Sequence, residues 1–131
     1  MIVLHTYLPI VYWLHYPWTY IGTGLVFLGF LLASNSVLLF LRNKTPLHPG
    51  VHAKFLITEG IYRFTRNPIY VGMIISLLGI ALFLGSSSPL LVIPVFSWII
   101  HTRFVLREEK WMEEWFGEDY LEYKRKTRRW L

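Results

Sequence analysis

Two short segments of the chain carry residue types that could perform chemistry. The first, LITEGIYRFTRNPIY, runs from Leu56 to Tyr70 and contains Arg66 and Asn67. The second runs from Arg103 to Glu109 and ends in two adjacent acids. Ionisable groups beside apolar helices are costly and are usually kept for function, so these clusters are the first candidates for a ligand site.

The two acids, Glu108 and Glu109, cannot both face one pocket from a helix. Neighbouring helical positions differ by about 100° around the axis. We therefore expect one acid to face a pocket while the other meets solvent or an arginine. The alternative is a solvated acidic face that binds nothing.

A helical hairpin must bring the two clusters together. Residues 69–84 and 89–106 are both apolar, and a kink is expected at Pro94. The break at residues 85–89, GSSSP, is too short for a domain boundary and is typical of a hairpin tip. A hairpin over 68–106 places Arg66, Asn67 and Tyr70 opposite Arg103, Glu108 and Glu109.

Other helical features concern packing rather than chemistry. Gly72, Ser76 and Gly79 share one helical face and predict the close approach of another helix. Residues 18–41 contain no ionisable group and predict a transmembrane helix. Within that helix Asn35 is expected to form an interhelical hydrogen bond, and His101 is interpreted as a hydrogen-bonded structural residue rather than a haem ligand.

Composition places the whole chain in a membrane. Of its 131 residues, 54% are hydrophobic and only 16% are charged, whereas soluble domains carry about 25% charged residues. The net charge is +5, but all thirteen Lys and Arg lie in two blocks, 42–66 and 103–129. That distribution is typical of cytoplasmic membrane loops and argues against nucleic-acid binding. The absence of cysteine excludes disulfides and thiolate metal sites, and no other metal-ligand spacing is present.

The two ends of the chain are expected to lie at the membrane surface. Residues 1–17 are apolar but short, with breakers at Pro9 and Pro17, and favour an interfacial or re-entrant segment. Residues 107–131 predict an amphipathic tail on anionic lipid, with one helix ending at Gly117 and another starting near Asp119. The tail cations Lys124, Arg125, Lys126, Arg128 and Arg129 are assigned to lipid contact, without a catalytic role.

These features predict an all-α integral membrane protein with about three transmembrane helices and one domain over 1–131. Its parts are the interfacial segment 1–17, the helix 18–41, a cytoplasmic loop 42–67, the hairpin 68–106 and the tail 107–131.

The segment LITEGIY–RFT–RNPIYVG resembles a motif of the isoprenylcysteine carboxyl methyltransferases, which share a C-terminal half of this kind with the membrane phospholipid N-methyltransferases. The family form is L-V-T-x-G-x-Y, three variable residues, then R-H-P-x-Y-x-G. A hydrophobic hairpin, the acidic pair and FGEDYLEYKRK follow in the family's order. The resemblance covers residues 45–131. Asn67 stands at the family's His and cannot become cationic.

The resemblance implies a methyltransferase that uses S-adenosylmethionine and releases S-adenosylhomocysteine. It also implies a lipophilic acceptor, most like an isoprenylcysteine carboxylate, within the bilayer. Carried over by position, Arg103 contacts the acceptor and Glu109 lies beside the site as a base for an amine acceptor. The implied cofactor residues are Lys54, Phe55, Leu56, Ile57, Tyr62, Asn67, Pro68, Ile69, Tyr70 and Glu108.

Two other functions are compatible with the sequence. One is a phospholipid N-methyltransferase, for which Arg103 would matter little because the acceptor is an amine. The other is a non-catalytic scaffold or transporter subunit, in which Pro68 only starts a helix. A homo-oligomer whose second copy completes the acceptor cavity is left open.

Overall fold

Helices dominate the computed structural model, which describes residues 1–8, 11–12, 15–47 and 50–131. Pro9, one of the two expected breakers, lies outside these ranges. Within them there is no strand, only two isolated bridges, in agreement with the expected all-α fold. The α-helices are α1 (Ile2–Tyr7), α2 (Tyr20–Arg42), α3 (Pro68–Leu84), α4 (Val92–Ile100), α5 (Leu106–Phe116) and α6 (Glu118–Lys126).

Two helical stretches of the described chain are long and apolar enough to cross a membrane. They are α2, with 23 residues, and the continuous stretch Ser88–Phe116, with 29. The second stretch joins a 3₁₀ turn, α4, a π-helical turn at His101–Val105 and α5. Helix α3 is apolar but has only 17 residues, or about 25 Å of helix. The third expected crossing therefore stays a prediction.

Helices α2 and α3 pack through paired glycines. A Cβ built on Gly72 would lie 2.6 Å from the carbonyl oxygen of Gly29, and one on Gly79 would lie 2.6 Å from that of Gly22. The two glycines of each helix are seven residues apart, so the glycine contacts span about two helical turns of α3. The close approach predicted from Gly72, Ser76 and Gly79 is confirmed.

The N-terminal segment docks on the tip of the hairpin. Ser88 Oγ donates a hydrogen bond of 3.2 Å to the Leu4 carbonyl, and the Ser87 amide donates one of 3.0 Å to Val11. The His5 ring nitrogen Nδ1 lies 2.8 Å from Ser86 Oγ. The only helix in the described part of this segment, α1, is six residues long. The hydrogen bonds hold the segment against the hairpin tip, which lies at the opposite end of α3 from Asn67.

Three local expectations can be compared with the structure. Helix α5 ends at Gly117, whose positive φ of 55° suits glycine, and α6 starts one residue before the predicted Asp119. Asn35 is exposed, and no interhelical hydrogen bond of its side chain is found among the described residues. Pro94 lies in the first turn of α4, where its missing N–H costs little, and the departure from α geometry falls instead at His101–Val105.

The contact of Gly22 and Gly29 with Gly79 and Gly72, which we name the glycine seam, predicts opposite effects of one substitution at two sites in α2. Gly29→Ala should lower stability by about 1–3 kcal/mol, since its Cβ meets the backbone of α3, which cannot move aside. Gly24→Ala is the matched control, because no described residue lies within 4 Å of its Cβ, and alanine favours the helix. Thermal unfolding in detergent measures both, and equal midpoints would contradict the seam.

Candidate active site

A cavity of about 390 Å³ lies where the motif segment, the start of α3 and the C-terminal helices meet. Its lining is mostly apolar, with two carboxylates, Glu108 and Glu109, and one guanidinium, Arg66. Small-molecule sites have volumes of roughly 300–1,000 Å³ and this same combination of apolar walls with a few polar groups. The cavity is therefore of a size and chemistry suited to a small organic ligand.

A buried aromatic cluster fixes the wall formed by the motif. The Gly60–Arg63 turn buries Tyr62 against Tyr123 of α6. Tyr123 Oη donates a hydrogen bond of 2.7 Å to the backbone carbonyl of Tyr62. Ile57 and Tyr120 complete the cluster. The C-terminal helix α6 is thus part of the cavity wall.

The phenols of this cluster stay neutral at ordinary pH. Burial raises the pKa of Tyr120 to about 12, with Glu109 adding to the rise and Arg66 opposing it. Burial also raises the pKa of Tyr62 and of Tyr123 well above the usual value. These groups can therefore pack and donate hydrogen bonds but cannot supply a phenolate base.

Glu108 has its carboxylate at the cavity, held by Tyr70. The Tyr70 hydroxyl donates a hydrogen bond of 2.7 Å to Glu108 Oε1, joining the first turn of α3 to α5. Both residues line the cavity. No described cation forms an ion pair with Glu108, so its charge is available to a cationic ligand.

Glu109, one position further, is tied into the protein. Arg129 grips it with two hydrogen bonds of 2.9 Å, from Nε to Oε1 and from Nη2 to Oε2. Arg66 Nη1 lies 3.5 Å from Glu109 Oε1. The two acids therefore have different partners, Tyr70 for Glu108 and arginines for Glu109. Both line the cavity, however, so the expectation that only one of them faces a pocket is wrong.

The backbone of the C-terminal tail lies along the RNP motif. The Arg66 amide donates a hydrogen bond of 2.9 Å to the Arg128 carbonyl, and Thr65 Oγ1 donates one of 3.2 Å to the Arg129 carbonyl. The side-chain amide of Asn67 donates a 2.9 Å bond to the same Arg129 carbonyl. This arrangement, with the Glu109–Arg129 pair, is called the tail clasp below.

Ten of the twelve residues proposed from sequence line the cavity. They are Phe55, Leu56, Ile57, Tyr62, Asn67, Pro68, Ile69, Tyr70, Glu108 and Glu109. Lys54 and Arg103 are exposed and do not line it. Glu108 is the first residue of its helix to reach the cavity, and Arg103 lies five positions earlier, about 7 Å along the axis. Ala53 and Phe55, the neighbours of Lys54 in the chain, do line the cavity.

The tail has a larger role than the predicted lipid contact. Trp111 and Trp115 belong to the tail segment 107–131 that is expected on lipid, and they line the cavity with their rings stacked 6.2 Å apart. Arg129, assigned to lipid, binds Glu109 instead. The i, i+4 spacing of the tryptophans is compatible with a cavity wall as well as with a membrane-facing surface. Only the tertiary structure distinguishes these two interpretations.

Two further observations bear on the chemistry. Within the described ranges no group of three His, Asp or Glu side chains could hold a metal ion. His101, expected to be hydrogen-bonded, has a buried Nδ1 without a partner in the described chain, and its ring lies 6.1 Å from that of Trp130. His101 lies outside the cavity that Glu108 lines.

Comparisons with known proteins agree with the motif. The sequence model of the phospholipid methyltransferase family matches residues 17–119. The protein-S-isoprenylcysteine O-methyltransferase of Schizosaccharomyces pombe is 34% identical over 72 residues, 55% of this chain and 30% of that protein. Protein-S-isoprenylcysteine O-methyltransferase B of Arabidopsis thaliana is 29% identical over 105 residues, covering 78% of this chain and 53% of the other.

The fold also has a known counterpart. The eukaryotic intramembrane Ras methyltransferase, an isoprenylcysteine carboxyl methyltransferase, superposes with a TM-score of 0.74 at 22% identity. The match covers 87% of this chain and 42% of the other. This chain therefore spans about a third to a half of the length of these relatives.

The tail clasp predicts different effects for two adjacent arginines. Arg129→Ala should destabilise the protein by about 1–2 kcal/mol, because Glu109 keeps only the longer contact to Arg66 while the pair is partly solvated. It should also speed hydrogen exchange of the Arg66 amide. Arg128→Ala is the control, since that side chain is exposed. Equal exchange in both variants, measured by mass spectrometry, would contradict the clasp.

Proposed function

Because the chain belongs to the phospholipid methyltransferase family, we propose that it transfers a methyl group from S-adenosylmethionine to a lipophilic acceptor in the membrane. The acceptor it resembles most is an isoprenylcysteine-type carboxylate, as in its named relatives. The observation that carries the proposal is the cavity, which ten of the motif-derived residues line around Glu108. We further propose that the cavity opens to the cytoplasm, since both basic blocks flank it.

The lining fits the proposed cofactor in its chemistry. S-adenosylmethionine supplies an electrophilic methyl group on a positively charged sulfonium. Glu108 offers a carboxylate, and Tyr70, Trp111 and Trp115 offer aromatic faces, which favour a cation. Phe55, Leu56, Ile57, Tyr62, Asn67, Pro68 and Ile69 supply the remaining, mostly apolar, wall against which a nucleoside can pack.

Catalysis in this proposal depends on alignment. Methyl transfer is an in-line displacement, and holding donor and acceptor in contact removes most of the entropic barrier. Tyr70 holds the Glu108 carboxylate in one position, and the aromatic walls exclude water. No proton has to be removed from a carboxylate acceptor, so the cavity needs no base.

The structure bears on the choice of acceptor through Glu109. A phospholipid amine would need a base, and Glu109 was the sequence candidate. Both of its oxygens accept bonds from Arg129, which favours a structural role. The family match, by its description, keeps phospholipid N-methylation as the second candidate. Arg103, outside the cavity, gives no support to either acceptor.

Titration with both forms of the cofactor tests the donor site. The purified protein should bind S-adenosylhomocysteine and S-adenosylmethionine, as measured by calorimetry. Glu108→Gln should weaken the binding of S-adenosylmethionine roughly 10-fold or more. The binding of S-adenosylhomocysteine should weaken less, because it has no sulfonium charge and loses no ionic attraction. Glu114→Gln, an exposed acid of the same helix, should change neither. A folded protein that binds neither compound would exclude the proposed activity.

The chemical stability of the product distinguishes the two acceptors. Protein in vesicles that contain phosphatidylethanolamine and an S-prenylcysteine is given cofactor with a labelled methyl group. A carboxyl methyl ester releases labelled methanol in mild base, whereas an N-methyl amine keeps its label. We expect base-labile label that depends on the prenylcysteine; base-stable label in the phospholipid would assign the second candidate.

A further inference from the structure

Arg66 is a buried cation at the cavity with unused hydrogen-bond donors. Its side chain is only 8% exposed, and it lines the cavity. Its Nε and Nη1 atoms have no hydrogen-bond partner in the described chain. A buried guanidinium without its hydrogen bonds is costly, so its position requires an explanation.

Glu109 does not satisfy Arg66. Both carboxylate oxygens already accept 2.9 Å bonds from Arg129. Arg66 Nη1 is 3.5 Å from the nearer oxygen, an ionic contact too long and poorly aligned to be a hydrogen bond. Glu109 thus faces two arginines and can neutralise only one of them.

The neighbouring acids form no ion pair with Arg66. Glu108 accepts a hydrogen bond from the Tyr70 hydroxyl, and Glu113 is paired with Lys124. Arg66 itself is held in place, since its amide bonds to Arg128 in the tail clasp. The described structure therefore presents a buried guanidinium with open donors, beside a carboxylate that Arg129 already neutralises.

We propose that Arg66 binds the carboxylate of a ligand that occupies the cavity. A guanidinium offers a planar fork of N–H groups that matches the two oxygens of a carboxylate. A ligand carboxylate would supply the charge and the acceptors that the protein leaves out. This inference rests on the proposed function, which provides the ligands.

Two ligands of a methyltransferase could bring that carboxylate. One is the amino-acid end of S-adenosylmethionine, and the other is the carboxylate of a prenylcysteine acceptor. Both would present a carboxylate to Arg66. The geometry therefore predicts which chemical group Arg66 binds, and a binding measurement identifies which of the two ligands carries it.

The experiment compares ligands with and without a carboxylate. S-adenosylhomocysteine is paired with its decarboxylated analogue, 5′-deoxy-5′-(3-aminopropylthio)adenosine, and an S-prenylcysteine is paired with its carboxamide. Each is titrated into wild type, Arg66→Gln and Arg66→Lys. Arg63→Gln is the matched control, because Arg63 is exposed in the same segment and does not line the cavity. The thermal midpoint of each variant is measured alongside.

Arg66→Gln should weaken the binding of one carboxylate ligand roughly 10- to 100-fold, the range of a charge-assisted pair. The affinity for the matching ligand without a carboxylate should not change. Arg66→Lys should recover part of the loss, since it keeps the charge but not the fork. Which pair responds identifies the source. Equal losses for both members of each pair would assign a structural role and overturn the proposal, as would unchanged affinity for all ligands.

The proposed function fails separately from this inference. If the wild type binds neither form of the cofactor, the donor site is excluded, while the prenylcysteine pair still tests Arg66. If the wild type binds the cofactor and Arg66→Gln behaves like Arg63→Gln throughout, only the Arg66 proposal is lost. If the wild type binds none of the four ligands, both are rejected.

Discussion

The cavity depends on one ion pair, between Glu109 and Arg129. Its two hydrogen bonds of 2.9 Å join α5 to the last residues of the described chain. That attachment holds the tail backbone against Thr65, Arg66 and Asn67, the turn that starts α3. Without it, α6 would still pack through Tyr120 and Tyr123, but the motif would lose its neighbour. The pair is partly solvated, so its value lies more in fixing geometry than in stability.

The glycine seam sets the position of α3 from the other side. Reciprocal contacts of Gly29 with Gly72 and of Gly22 with Gly79 bring two backbones together at a distance that side chains cannot allow. Because α3 begins at Pro68, directly after the clasp, the seam and the clasp together decide where Tyr70 points. Tyr70 in turn holds Glu108. The part of the cavity around Glu108 is therefore positioned through α3, a helix that contains no charged residue.

The sequence predicted the parts of the site that follow from local rules. Periodicity placed Gly72 and Gly79 on one face, and glycine chemistry ended α5 at Gly117. The resemblance supplied the residues around Tyr62 and Tyr70. The predictions from periodicity and glycine chemistry succeeded because each depends on spacing within a single element, whereas the binding role of the residues around Tyr62 and Tyr70 stays a prediction.

The remaining assignments depend on tertiary contacts. The assignment of Arg103 to the acceptor stays a prediction: it lies outside the cavity, because depth along a helix depends on where the cavity begins, which a π-helical turn and the docking of α5 decide. The sequence places Trp111, Trp115 and Arg129 on lipid, because a basic, aromatic tail has the same pattern whether it meets lipid or protein. No local rule contains the contact between Arg129 and Glu109, which are twenty positions apart.

The substitution of Asn for the family's His gains a physical meaning from the clasp. The side-chain amide of Asn67 donates a hydrogen bond to the Arg129 carbonyl, a neutral acceptor, and Asn67 also lines the cavity. This hydrogen bond requires a donor on a side chain of suitable length, but it requires neither a charge nor a proton transfer. A cationic residue there would add a third positive charge beside Arg66 and Arg129, which share one carboxylate. A neutral amide keeps the tail in place without raising that imbalance, and so leaves the charge of Arg66 for a ligand to balance.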